Sequence, residues 1–201
     1  MRAYRTWFLV APLLVGCAAT AGQGRARAPA TPISDVPETK HHVPLIGVDS
    51  TPARDAAAGR RSAQLLAVTE KILARADRVG VDRLTTEERN VAAVWGLEAD
   101  LSNGGFDQYF FNASADLASV VPDALRDMGA VEAAAIVEQA VGAFGEEGPA
   151  TEQSERQWQL AVLGTSAQRQ WAALDRKFSA CADDIPGLLE AYVAENADRL
   201  L

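Results

Sequence analysis

The sequence predicts an all-α protein, a compact bundle of about six or seven helices preceded by a disordered tether. Three observations lead there. From Ser62 onward the apolar residues recur at three- and four-residue spacing, and no stretch alternates apolar and polar over the length of a strand. Helix start and stop signals punctuate the same region, a capping box from Thr85 to Glu88 among them. Before it, residues 18–61 hold five of the nine prolines (Pro29, Pro32, Pro37, Pro44, Pro52) and no apolar periodicity. The chain accordingly divides into a signal segment at 1–16, a tether at 17–61 and a helical domain at 62–201.

The N-terminus has the parts of an export signal: Arg2 and Arg5, an apolar run from Trp7 to Val15, and small residues at its end. That run falls short of the about 20 apolar residues needed to span a bilayer. Leu14-Val15-Gly16-Cys17 resembles the lipobox of bacterial lipoproteins, which implies cleavage before Cys17 and lipidation of its thiol. Acyl chains, at about 0.8 kcal/mol per buried methylene, would then hold the protein at a membrane. Ala18 in the next position implies, by the same resemblance, the outer membrane facing the periplasm. The tether that follows cannot bury enough surface to offset its ordering entropy, and its mean reach is roughly 35 to 40 Å.

Within the domain, Leu65, Leu66, Val68, Ile72 and Val79 mark a first helix stopped by Gly80. Thr85 and Glu88 open a second, which carries Val91, Val94, Trp95 and Leu101 and ends at Asn103-Gly104. Pro122 suits the first turn of a short helix closed by Gly129. An Ala-rich helix spans Val131 to Phe144. A longer one starts at a second expected capping box, Ser154 with Gln157, and runs toward Cys181 with a bend at Gly164. Asp184-Ile185-Pro186 begins the last, with Leu188, Leu189, Tyr192 and Val193 as its apolar face.

Inventory excludes most catalytic chemistry. The two histidines, His41 and His42, both precede the domain, which leaves no imidazole for a Ser-His-Asp triad or a His-based metal site. No glycine-rich phosphate loop and no calcium loop occurs, so neither cofactor nor metal is expected. With Cys17 lipidated, Cys181 has no partner for a disulfide, and following Trp171, Leu174 and Phe178 it reads as a small hydrophobe. What survives is carboxylate-pair chemistry on glycans, the enzymatic alternative. The charge is -8 overall and about -10 after loss of Arg2 and Arg5. Nucleic acid is thereby an unsuitable direct ligand.

One segment stands out: Glu98, then Asn103-Gly104-Gly105-Phe106, Gln108-Tyr109-Phe110 and Asn112. This pattern resembles that of the bacterial DNA-mimic protein family, small acidic helical proteins. Looser similarity in Ala124-Leu125, Gly129-Ala130, Leu174-Asp175 with Phe178, and Tyr192 to Asn196 extends the resemblance from about Leu65 to the C-terminus. It implies a helical binding module without catalysis. Read physically, Glu98 shares the stripe of Trp95 and Leu101 and should be partly buried, with Gln108, the Tyr109 hydroxyl, Asn112 and the amides of the glycine turn as its donors. Phe106, Tyr109 and Phe110 would plug the core. An internal brace is favoured over a ligand site, since polar groups on core faces usually satisfy the fold.

From Ser62 to Leu201 there are 23 acidic and 11 basic residues, a balance of -12. Glu146, Glu147, Glu152 and Glu155 form one dense run, Asp183 and Asp184 another. Such runs serve solubility, and they also suit a basic partner. The expectation is a membrane-tethered, non-catalytic acidic domain in the cell envelope that binds a protein partner, a basic one being the best match to its surface.

Overall fold

The computed structural model describes residues 52–200, with side chains from Ser62 onward. The signal segment, Cys17 and the tether as far as Thr51 lie outside the described residues. Six α-helices, three short 3-10 turns and no strand make up the described chain, and none of these helices is long and apolar enough to cross a membrane.

Helix α1 spans Pro52–Val79, so it starts ten residues before the expected domain boundary at Ser62. Pro52 presets φ in the first turn, and Ala53 and Ala56 to Ala58 are strong helix formers, which outweighs the reading of this stretch as tether. Gly80 ends it at φ 90°. After a 3-10 turn at Val81–Arg83, α2 spans Thr86–Phe111. Its expected capping box forms in full: Thr85 N–H donates to Glu88 Oε2 at 2.9 Å and Glu88 N–H to Thr85 Oγ1 at 3.2 Å. The buried Glu88 carboxylate also meets Arg75 Nε of α1 at 3.4 Å. At Gly104 and Gly105 the helix kinks and resumes, instead of ending as its sequence suggested.

A 3-10 turn at Ala113–Leu117 leads to α3, Val121–Asp127, with Pro122 in its first turn and Gly129 beyond its end at φ 89°. Helix α4, Val131–Val141, tightens into a 3-10 turn at Gly142–Phe144. Helix α5, Gln153–Ser179, bends at Gly164, where φ is 56°. The second expected capping box does not form: Glu152 is the N-cap and its side chain makes no capping bond. Gln157 instead donates to the Phe111 carbonyl at 3.1 Å, beside Gln153 at 2.9 Å, so both amides serve the open end of α2. Helix α6, Ile185–Glu195, starts as expected, with Asp184 accepting from Gly187 N–H.

Helix α2 is the axis of the bundle, packed by α5, α3 and the turn after Asn112. Val91, Val94, Leu97, Phe106, Tyr109 and Phe110 are fully buried along it. Phe110 is the hub of an aromatic cluster, with ring centroids 4.8 Å from Phe144, 5.0 Å from Trp171 and 5.1 Å from Tyr109. Trp171 donates its indole N–H to the Ala140 carbonyl at 3.0 Å, which fixes α5 against α4.

Candidate functional site

The glycine kink organises everything around it. Gly105 sits at φ 71°, ψ -165°, a backbone region that is nearly glycine-only. Phe106 N–H, exposed by the break in the helix ladder, donates to Asp175 Oδ1 of α5 at 2.9 Å. A Cβ on Gly105 would lie 2.5 Å from the other oxygen of that carboxylate. The glycine is therefore required twice, for its dihedrals and for the approach of Asp175. Asn103 closes the first half of α2 by donating to the Ala99 carbonyl at 2.7 Å.

The kink turns the second half of α2 back toward the first, and the carboxylate at the junction is Asp100, not Glu98. Asp100 accepts from Asn112 Nδ2 at 2.7 Å, from Gln108 Nε2 at 3.4 Å and, through its second oxygen, from the Ser114 hydroxyl. The brace expected of the motif exists, but the donors assigned to Glu98 converge two residues further on. The Tyr109 hydroxyl, another expected donor, is buried with no hydrogen-bond partner in the structure, and burial raises its pKa, only partly opposed by the charge of Arg156.

Below the brace lies Arg156, fully buried, which the sequence reading did not single out. Its Nε donates to the Phe110 carbonyl at 2.8 Å. Nη1 reaches Ala150 and Thr151 carbonyls at 2.6 and 3.0 Å, and Nη2 the Asn112 carbonyl at 2.6 Å and Asp116 Oδ1 at 2.8 Å. All five N–H donors are used. One guanidinium thus closes the C-terminal end of α2 and holds the chain entering α5. Burial pushes the Asp116 carboxyl above its usual range, while its hydrogen bond and ion pair with Arg156 pull the other way.

Glu98 faces outward from this frame into an open cleft of about 230 Å³ between α2, the end of α5 and the start of α6. Burial, aided by the negative charge of Asp184, raises its pKa. Asp183 also lines the cleft and caps α4 by accepting from Ala133 N–H at 2.9 Å. Asp183 and Asp184, expected as a second acidic patch, are thus both helix caps. Cys181 is partly buried beside them, and burial raises its thiol pKa. Its sulfur and a carboxylate oxygen each from Glu132 and Asp183 lie within 4.8 Å of one another, but a thiol held protonated is a poor metal ligand.

Glu146, Glu147, Glu152 and Glu155 are all exposed, along the turn between Gly145 and Gly148 and the start of α5. They belong to a larger feature. Between residues 127 and 168 the carboxylates of Asp127, Glu132, Glu138 and these four are exposed, while the single basic residue, Arg156, is buried. Glu138 is paired with Arg126 at 2.6 Å. That stretch therefore presents negative charge with no exposed cation of its own.

A family model described as DMP19-like protein matches residues 82–196, from the 3-10 turn before α2 to the residue after α6. No curated protein and no solved structure matches the chain.

Proposed function

The chain belongs to the DMP19-like (DNA mimic protein 19) family, and from that premise we propose that it is a non-catalytic binding domain whose acidic surface engages a basic protein partner. The observation that carries this reading is the stretch 127–168, with seven exposed carboxylates and its one cation buried. Exposed charge of a single sign accelerates encounter with an oppositely charged partner and selects against acidic ones. The family motif leaves the surface free for this role, because Gln108 and Asn112, bonded to Asp100, and the aromatic residues are consumed by the fold.

In this reading the lipobox-like segment ending at Cys17 tethers the domain at the envelope, anchored at the outer membrane and facing the periplasm. Export separates it from the chromosome, so the partner is a basic envelope protein and not a DNA-binding regulator. The enzymatic alternative on envelope glycans has less support. The cleft beside Glu98 is smaller than the roughly 300 Å³ at which small-molecule sites begin, and two of its carboxylates, Asp175 and Asp183, already serve backbone N–H groups.

The test is photocrosslinking in intact cells from position 147, in the acidic stretch, and from position 191, exposed on α6. A discrete adduct to one basic protein is expected from 147 and none from 191. With Cys17→Ser the chain should leave the membrane fraction. An adduct from 191 alone would contradict the surface assignment, and a Cys17→Ser chain that still pellets with membranes would contradict the anchor.

A further inference from the structure

The cleft holding Glu98 lies at the far end of α5 from the acidic turn, about 20 residues away and up to roughly 30 Å along the helix axis. Glu98, Asp175 and Asp183 line it, with Phe178, Ile185 and Leu101 among its apolar walls, and no cationic side chain does. Asp175 and Asp183 are held by backbone amides, whereas Glu98 makes no hydrogen bond among the described residues. The hydrogen bonding of the fold thus leaves Glu98 unused, half-buried in a cavity.

We propose that this cleft binds a cation on a short apolar stem, a primary ammonium or a guanidinium, with Glu98 as its counter-ion. A volume of about 230 Å³ suits a group the size of a side chain and not a drug-sized ligand. Leu101, Ile185 and Phe178 would cover methylene groups as they cover the stems of lysine and arginine, with an aromatic ring available to the charged head. The cleft already sets Glu98 against the negative charge of Asp184, and a cation relieves that repulsion where a neutral or anionic ligand does not. The site is distinct from the acidic turn at Glu146, Glu147, Glu152 and Glu155; of the 127–168 stretch, Glu132 lies beside Asp183 at its rim.

Both a free amine and a lysine or arginine side chain of a partner present this chemistry, and the test separates them. The full chain is titrated with n-butylammonium and n-butylguanidinium, with n-butanol and butyrate as controls, and followed by the NMR shifts of the Ser102, Phe178 and Ser179 amides. A second arm uses tripeptide amides with a central lysine or arginine. Saturable shifts are expected with the cations alone. Tighter binding of the tripeptides assigns the site to a protein side chain, and binding of the butyl cations alone to a free amine.

Glu98→Gln should weaken binding about tenfold or more while melting at or above the parent temperature at pH 7, since a carboxylate whose pKa is raised by burial opposes folding once ionised. Ser102→Lys, which tethers an ammonium at the cleft, should abolish probe binding. Equal shifts with n-butanol, binding indifferent to Glu98→Gln, or a Glu98→Gln chain that melts lower would each overturn the assignment. Changing Glu146, Glu147, Glu152 and Glu155 to Gln should leave this binding unchanged, so the two readings fail separately.

Discussion

Arg156→Leu is expected to lower the unfolding free energy by about 3 to 5 kcal/mol, the range for breaking a buried ion pair by removing one partner. The guanidinium is fully buried and all its donors are engaged. Its loss orphans the carbonyls of Phe110, Asn112, Ala150 and Thr151 and strands the Asp116 charge. Lysine restores the charge but not the planar five-donor fork, so Arg156→Lys should lie between parent and leucine variant. The Asp116 pKa is already raised by burial, and losing its cation raises it further. A carboxylate whose folded pKa exceeds its unfolded one destabilises the fold when ionised, and that penalty lifts as pH falls through the folded pKa. Urea unfolding should therefore show a smaller deficit for Arg156→Leu at pH 5 than at pH 7. A deficit under about 1 kcal/mol, the ordinary effect of a substitution at a typical site, would mean the guanidinium network is not what closes α2.

Gly105→Ala is expected to cost about 3 kcal/mol, from a backbone strain of roughly 1 to 3 kcal/mol together with damage to a charge-assisted cap. The dihedrals at this residue are nearly glycine-only, and the added methyl would meet the Asp175 carboxylate at 2.5 Å and displace it from Phe106 N–H. Melting should fall by roughly 6 to 12 °C for a domain of this size. Gly142→Ala is the control, since that glycine has φ -60° and nothing within 4 Å of an added Cβ. In an Asp175→Ala background the collision disappears and the strain stays, so the alanine at 105 should cost less there than in the parent. Equal losses at 105 and 142 would show that the kink geometry is not required.

Signals that complete themselves within one turn of chain were legible in the sequence. The Thr85 and Glu88 box, the Gly129 stop, the Gly164 bend and the Asp184 cap all depend on neighbours three or four residues away. The Ser154 and Gln157 pair carried the same pattern, yet Gln157 found the Phe111 carbonyl across the bundle, a competitor no local rule contains. Which of Glu98 and Asp100 braces the motif depends on the turn made at Gly104 and Gly105, and those dihedrals are not written in residue identity. Asp183 looked like surface charge because composition does not distinguish a solvated carboxylate from one beneath the N-terminus of a helix distant in sequence.

Arg156 is a different case, because its signal was present. It continues the stripe of Leu160, Leu163, Ala167, Trp171, Leu174 and Phe178 toward the N-terminus of α5 at helical spacing. A charged residue on an apolar stripe reads as an interruption, whereas burial with a full set of acceptors makes it part of the core. Once Arg156 is counted inside, the charge of the 127–168 stretch becomes plain, since its only cation is no longer at the surface.

The central claim is that those carboxylates recruit a basic partner, and the most direct measurement uses the protein crosslinked from position 147, purified and titrated against the parent domain and against Glu146→Gln, Glu147→Gln, Glu152→Gln and Glu155→Gln combined. Exposed carboxylates add little to stability, so the combined variant should melt within about 1 °C of the parent. Its affinity should fall by about tenfold or more, and parent binding should weaken steadily as salt rises, because attraction between exposed charges is screened over about 8 Å at physiological ionic strength. Binding that survives the four changes and ignores salt would contradict the account.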